Sequence, residues 1–249
     1  MFRTELIRRW SSACLEAVDT LLFPLPCLIC GEDGLAAPFC DPCRAELLES
    51  SGRMCGRCAM PIGPWEQDPA GCSECRGKSL GFDGAVALGP YQGPIRHLCL
   101  QLKRDQNAWL APWLSELLIE SRGEVLRRYE GARVVPVPLH WQRRWVRGYN
   151  QSEALGYRLA RRLGVRLVRP LQRVVSTPAL AELSRAERAK AMRGVFRVRD
   201  PRSIEGRTVL LVDDILTTGA TCGSAARALK RAGATKVIAV VIGRAEGRA

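Results

Sequence analysis

Residues 209–221 read Val209-Leu210-Leu211-Val212-Asp213-Asp214-Ile215-Leu216-Thr217-Thr218-Gly219-Ala220-Thr221. Four consecutive apolar residues predict a short strand buried on both faces, and it ends on two adjacent carboxylates. A turn of hydroxyls and glycine follows at once, and then a helical pattern. In an open α/β sheet, ligands bind at the carboxyl end of such a strand. The helix start beyond it offers free N–H groups and the positive end of the helix dipole, which suits a phosphate. Gly219 permits close backbone approach. Thr217, Thr218 and Thr221 are hydroxyl donors, Ala220 opens the helix, and Asp213 and Asp214 are acceptors for a sugar diol. Neither G-x-x-x-x-G-K-[ST] nor G-x-G-x-x-G occurs, which argues against P-loop and dinucleotide-binding sites.

Around this segment strands and helices alternate. Residues 82–88, 133–137, 207–212 and 236–242 read as strands, and 93–103, 107–129, 151–163 and 220–232 as helices. The alternation predicts an α/β fold with a mostly parallel, Rossmann-like sheet. Between Leu171 and Arg207 lies a polar, charged stretch containing Thr177-Pro178. Its length inside a compact domain marks a functional lid or a mobile hairpin.

Upstream, the pattern is different. Eight of the eleven cysteines form four Cys-x-x-Cys pairs within 49 residues: Cys27/Cys30, Cys40/Cys43, Cys55/Cys58 and Cys72/Cys75. Two such knuckles close one tetrahedral Zn²⁺ site, so four predict two structural zinc ions. Few aliphatic residues separate them, so this segment depends on metal rather than on a core. Disulfides are disfavoured in a reducing compartment, and four tandem pairs look like ligands rather than redox centres. Sequential pairing and a cross-braced arrangement use the same cysteines equally well. Four thiolates leave no open coordination position, which argues against a catalytic metal. Cys14, Cys99 and Cys222 read as ordinary buried thiols.

Composition bounds the rest. The net charge of +13 is unevenly placed: residues 1–85 carry 8 Lys/Arg against 12 Asp/Glu (−4), and residues 86–249 carry 30 against 13 (+17). Such a basic domain favours polyanions, namely phosphorylated small molecules, nucleic acid or anionic lipid. Only five of the 38 basic residues are lysine, so an arginine-rich coding bias explains the charge as well. No run of 18 apolar residues predicts a membrane span. The first 23 residues read as an amphipathic helix without a signal-peptide cleavage pattern, and the expected location is cytoplasmic.

The 209–221 segment closely resembles the 5-phosphoribosyl-1-diphosphate (PRPP) motif of type I phosphoribosyltransferases. The four knuckles, Leu102-Lys103, Val135-Pro136-Val137-Pro138-Leu139, Arg147-Gly148-Tyr149-Asn150-Gln151 and Ser184-Arg185-Ala186-Glu187-Arg188 occur in the order seen in ComF-type proteins. The resemblance runs from Phe23 onward. After the amphipathic helix read over 1–23, it implies a double zinc ribbon over 24–80 and a phosphoribosyltransferase domain over 81–249. It also implies a link to uptake or use of single-stranded DNA, in transformation and competence. Within it, Asp213 and Asp214 match the ribose-binding pair, and 217–221 the 5-phosphate loop. Lys103, Arg143, Arg144, Arg147, Asn150 and Gln151 are diphosphate candidates; arginine meets phosphate oxygens bidentately. Mg²⁺ is expected to accompany PRPP. Residues 177–193 occupy the place of the catalytic flap, with Arg185 and Arg188 as its catalytic candidates. The flap departs from the family pattern at Leu180, where glutamine is usual, and at Ala191, where asparagine is usual. Both changes remove polar groups from the segment that closes over substrate.

Three functional readings follow. One is an enzyme that transfers a 5-phosphoribosyl group from PRPP to a nitrogen nucleophile, releasing pyrophosphate. Another is a nucleic-acid-binding accessory protein that keeps the pocket as a PRPP sensor or anion site. Trp141 and Trp145 among Arg143, Arg144 and Arg147 support it, because single-strand binders interleave aromatic and basic side chains. In the third, the ribbons dock a membrane-associated DNA-uptake machinery. The charge run Arg185, Arg188 and Lys190 also reads as a solvated helix face. His97 and His140 read as structural or surface residues.

Overall fold

The computed structural model describes residues 25–33, 35, 37–50, 52–63, 71–139, 148–175, 192 and 194–246. The chain divides into two compact units, Met1–Leu47 and Leu48–Ala249. The helix expected over 1–23 lies outside the described residues.

In the first unit an antiparallel bridge pairs Leu25 with Leu35. Between them the chain turns through Gly31 at φ +80°, whose N–H donates to the Cys27 carbonyl at 2.9 Å. Helix α1 (Asp41–Glu49) starts on the next knuckle, with an acidic residue in its first turn and Cys43 and Leu47 buried. Ile29 and Leu35 are the apolar residues packed on the cysteines. Among the described residues of this unit, Phe39 and Leu47 are buried apolar side chains as well.

The second unit is built on a parallel sheet. Its strands are β1 (Gly84–Pro90), β2 (Arg133–Pro136), β3 (Arg166–Leu167), β6 (Thr208–Val212), β7 (Ile215–Leu216) and β8 (Lys236–Arg244), in the order β1-β8-β6-β2-β3, with β7 beside β8. Strand β8 is central and buried along all but its first residue, as its apolar run requires. The connecting helices are α2 (Gly93–Gln101), α3 (Leu110–Arg127), α4 (Gln151–Leu163) and α5 (Ala220–Arg231). A separate antiparallel pair, β4 (Leu171–Arg173) with β5 (Phe196–Val198), brings the two ends of the long polar stretch together.

The helices have readable local causes. Asn150 caps α4, its side-chain oxygen accepting the Ser152 N–H at 3.1 Å, and Gly164 closes that helix in a left-handed conformation at φ +67°. Helix α4 packs along α3, where Ser115 Oγ donates to the Leu155 carbonyl at 3.1 Å and Glu116 binds Arg158 and Arg162. Gly223 lets α5 touch the segment before β1: a Cβ there would lie 2.2 Å from the Leu80 carbonyl oxygen.

Strand β1 is an edge strand, and its outer side is covered. The Ala85 N–H donates to the Gly56 carbonyl at 3.0 Å, and Arg122 donates to the Ala87 carbonyl at 3.1 Å and to that of Gly52 at 2.9 Å. Ala59, at φ +56° between the knuckles, is fully buried in the same apolar cluster as β6 and β8. The third Cys-x-x-Cys pair is thus part of the sheet's packing. Among the described residues no helix is long and apolar enough to cross a membrane.

Candidate functional site

Two strands decide where a ligand can sit. From β2 the chain goes outward through α4 to β3; from β6 it goes the other way through α5 to β8. The strand order reverses between β2 and β6, and the carboxyl ends at that point are where open α/β sheets bind ligands. Asp213 and Asp214 leave β6 there, and the residues before α4 enter from β2.

The carboxylates are closely held. Asp213 Oδ1 accepts from Ser152 Oγ at 2.9 Å and from the Asp214 N–H at 3.0 Å, while Cys222 Sγ stands 4.0 Å from Oδ2. Burial first, and the charge of Asp214 second, push the Asp213 carboxyl up to about 7. Asp214 is buried; its Oδ2 lies 3.3 Å from Lys103 Nζ and accepts from Gln151 Nε2 at 3.4 Å. With its amide nitrogen facing Asp214, Gln151 turns its oxygen elsewhere, and that buried Oε1 has no hydrogen-bond partner among the described residues. A buried acceptor left open beside two carboxylates fits a ligand that donates hydroxyls or carries a hydrated divalent cation.

The phosphate turn follows. Gly219 caps α5 at φ +79°, a conformation that favours glycine, and Ala220 N–H reaches back to Thr218 Oγ1 at 3.4 Å. Thr217 is exposed, Thr218, Ala220 and Thr221 are half-buried, and Leu216, Thr217, Thr218 and Gly219 line a small recess just before α5. Cys58, Cys75, Phe82 and Arg244 help to line that recess.

The cysteines gather sequentially, not cross-braced. The thiols of Cys27, Cys30, Cys40 and Cys43 form one group and those of Cys55, Cys58, Cys72 and Cys75 another, with all Sγ atoms of a group within 4.8 Å of one another. Individual separations are 3.7 Å for Cys30–Cys40, 3.5 Å for Cys58–Cys72 and 3.8 Å for Cys55–Cys75. A disulfide needs about 2.05 Å. Four sulfurs at about 2.3 Å from a tetrahedral zinc would be about 3.8 Å apart, so both groups fit structural Zn²⁺.

Several expected residues take positions that spacing alone did not give. Lys103, expected on the diphosphate, rests on Asp214. Asn150 caps α4 and donates from Nδ2 to the Val137 carbonyl at 3.1 Å. The hydroxyl of Tyr149 donates to the Leu102 carbonyl and stands 3.2 Å from that of Arg104, clasping the segment that carries Lys103. Cys99 and Cys222 are fully buried. Arg143, Arg144, Arg147, Trp141, Trp145, His140, Cys14, Arg185, Arg188, Lys190, Leu180 and Ala191 lie outside the described residues. Sequence reasoning passed over Ser152 and Arg244. Ser152 adjoins a quoted motif and could have been found there; a basic residue ending the last strand gives no signal.

Known proteins bear on this arrangement. The phosphoribosyl transferase domain family matches residues 150–248, and the double zinc ribbon family matches 18–76. The DNA utilization protein YhgH of Salmonella typhi is 33% identical over 205 residues, covering 80% of this chain and 86% of that protein. Competence protein F of Haemophilus influenzae is 28% identical over 203 residues, with the same shares, 80% and 86%. Competence protein ComFC of Bacillus subtilis is 24% identical over 208 residues, 78% of each chain.

Proposed function

Because the chain belongs to the ComF family, which joins a double zinc ribbon to a phosphoribosyltransferase domain, we propose that it binds PRPP and serves DNA utilisation or competence. One observation carries the ligand: adjacent carboxylates run straight into a threonine- and glycine-rich helix cap at the sheet's switch point. Asp213 and Asp214 take the ribose hydroxyls, and 217–221 take the 5-phosphate. Lys103 exchanges part of its contact with Asp214 for the diphosphate.

The reaction assigned to this site is phosphoribosyl transfer. The bond from the sugar carbon to the diphosphate breaks, a bond to a nitrogen nucleophile forms, and pyrophosphate leaves. Fixed donors and cations around the leaving group would carry the catalysis. Mg²⁺, when bound, would supply positive charge that offsets the negative charge building on the leaving group. Asp213, Asp214 and Gln151 Oε1 are the oxygen donors available to hold it.

Calorimetric titration of the zinc-loaded protein with PRPP and Mg²⁺ tests the reading. Replacing both carboxylates (Asp213→Asn with Asp214→Asn) removes two charged acceptors and should weaken binding by at least about a hundredfold. Unchanged affinity in the double variant would defeat the assignment. A second reading, nucleic-acid binding with PRPP as a regulator, draws on the +17 charge of residues 86–249. It expects single-stranded DNA affinity that falls steeply with salt and responds to PRPP.

A further inference from the structure

Arg244 ends β8 and is 8% exposed. Its guanidinium makes contacts in two directions. On one side Nε donates 2.7 Å to the carbonyl of Cys58, a ligand of the second four-cysteine cluster. On the other, one terminal nitrogen donates to the carbonyls of Leu216 at 2.9 Å, Thr217 at 2.6 Å and Ala245. Leu216 and Thr217 are the residues from which the phosphate turn springs. Leu216 is further held by β7 against β8, where it pairs with Arg244 itself. One buried side chain therefore clasps the backbone of a metal knuckle and that of the phosphate turn. Both also line the same recess, with Cys58, Cys75, Thr217, Thr218 and Gly219 on its walls.

The chemistry favours a functional link. An arginine this buried keeps its charge and needs compensation. A four-thiolate zinc centre of net charge about −2 and a phosphate ester seated on 217–221 would place negative charge at both ends of the clasp. Losing the metal would release the Cys58 carbonyl from its fixed place and free one arm of the clasp. The turn at Leu216 and Thr217 would then lose its second anchor.

We infer that Arg244 is a positioning residue that couples zinc occupancy of the Cys55/Cys58/Cys72/Cys75 cluster to phosphate binding at 217–221. The Cys27/Cys30/Cys40/Cys43 cluster has no part in this coupling. The inference rests on the phosphate assignment made above. Coupling between sites is reciprocal, so a phosphate ligand must hold the second zinc more tightly to the extent that the zinc favours the ligand.

The experiment uses the full chain loaded with two zinc ions and ribose 5-phosphate as probe. Calorimetry first measures its affinity. Zinc release to a chromogenic chelator is then followed with and without saturating probe. One of the two release phases should slow about fivefold or more, the lower end of usual coupling strengths. In Cys30→Ser, which weakens the first cluster, the remaining zinc should stay probe-sensitive. Arg244→Met should bind zinc but release it at a rate indifferent to the probe, and Arg244→Lys, which keeps the charge and loses the fork, should recover only part of the effect. Ribose 5-phosphate that binds the native chain yet leaves both release rates unchanged overturns the coupling alone. A native chain that binds no ribose 5-phosphate overturns both the coupling and the phosphate site. The native measurement decides the matter even if Arg244→Met fails to fold.

Discussion

The two cysteine clusters offer a zinc ion the same four ligands in very different surroundings. In the first, Cys30 is exposed and, among the described residues, Ile29 and Leu35 pack against the cluster. In the second, all four cysteines are buried, with Met60, Ile62 and Leu80 against them. Its knuckle backbone accepts from the Ala85 N–H at the Gly56 carbonyl and from Arg244 at the Cys58 carbonyl, and Ala59 is buried in the sheet's apolar cluster. The same motif has a small apolar shell in one place and is part of a sheet's packing in the other. Ligand count and spacing say that both clusters fit zinc; what a bound metal would support is decided by the residues that touch the knuckles.

The largest expected effect separates the two. Cys58→Ser should lower the melting temperature of the α/β unit by about 10 °C, since metal binding is folding energy and each kcal/mol moves a domain of this size by about 2–4 °C. It should also impair PRPP binding. Cys40→Ser should leave that transition and PRPP affinity in place; calorimetry of both variants reads the difference, and equal losses would erase the distinction drawn here. A smaller effect comes from Gly223→Ala. Its Cβ would meet the Leu80 carbonyl at 2.2 Å, and the forced shift of α5 should cost about 1–3 kcal/mol in urea unfolding. Because Leu80 also packs on the second cluster, this variant should speed zinc loss there and not from the first.

The smallest effect is in pH. With its carboxyl raised to about 7 by burial and by Asp214, Asp213 is mostly neutral at pH 6 and mostly ionised at pH 8. In the proposed role the ionised form accepts ribose hydroxyls, so that contribution to PRPP affinity should be lost as pH falls through 7 and should rise about tenfold from pH 6 to 8. Asp213→Asn should remove this increment, leaving only the titration of the ligand's own phosphates. Cys40→Ser should keep it. A profile identical in native protein and Asp213→Asn would show that Asp213 does not titrate on binding.

Much of the α/β unit was legible because its signals are local. The span 151–163 matches α4 at both ends, where an asparagine cap and a glycine stop bound an amphipathic pattern. Strand β6 and α5 fell within a residue or so of expectation, and β8 runs two residues further, to Arg244. Strands β3, β4, β5 and β7 are two or three residues long, too short for any periodicity to register. Helix α1 was missed because its sequence, Asp-Pro-Cys-Arg-Ala-Glu-Leu-Leu-Glu, has only a weak apolar stripe and starts on a metal knuckle. In the candidate site, the two carboxylates and the threonine-rich turn at the switch point were readable from 209–221. Their supports were not: Ser152 under Asp213, Tyr149 under the Lys103 segment and Arg244 behind the turn are joined only by the fold.

The covering of β1 has a consequence for the protein before it is complete. An uncovered edge strand exposes a row of N–H and C=O groups that will recruit another chain. Here one of those groups, Ala85 N–H, is occupied by Gly56 of a knuckle that zinc organises. A newly made chain short of zinc would therefore present a sticky, half-open sheet margin. Self-association, rather than simple loss of activity, is the first failure to expect under metal starvation.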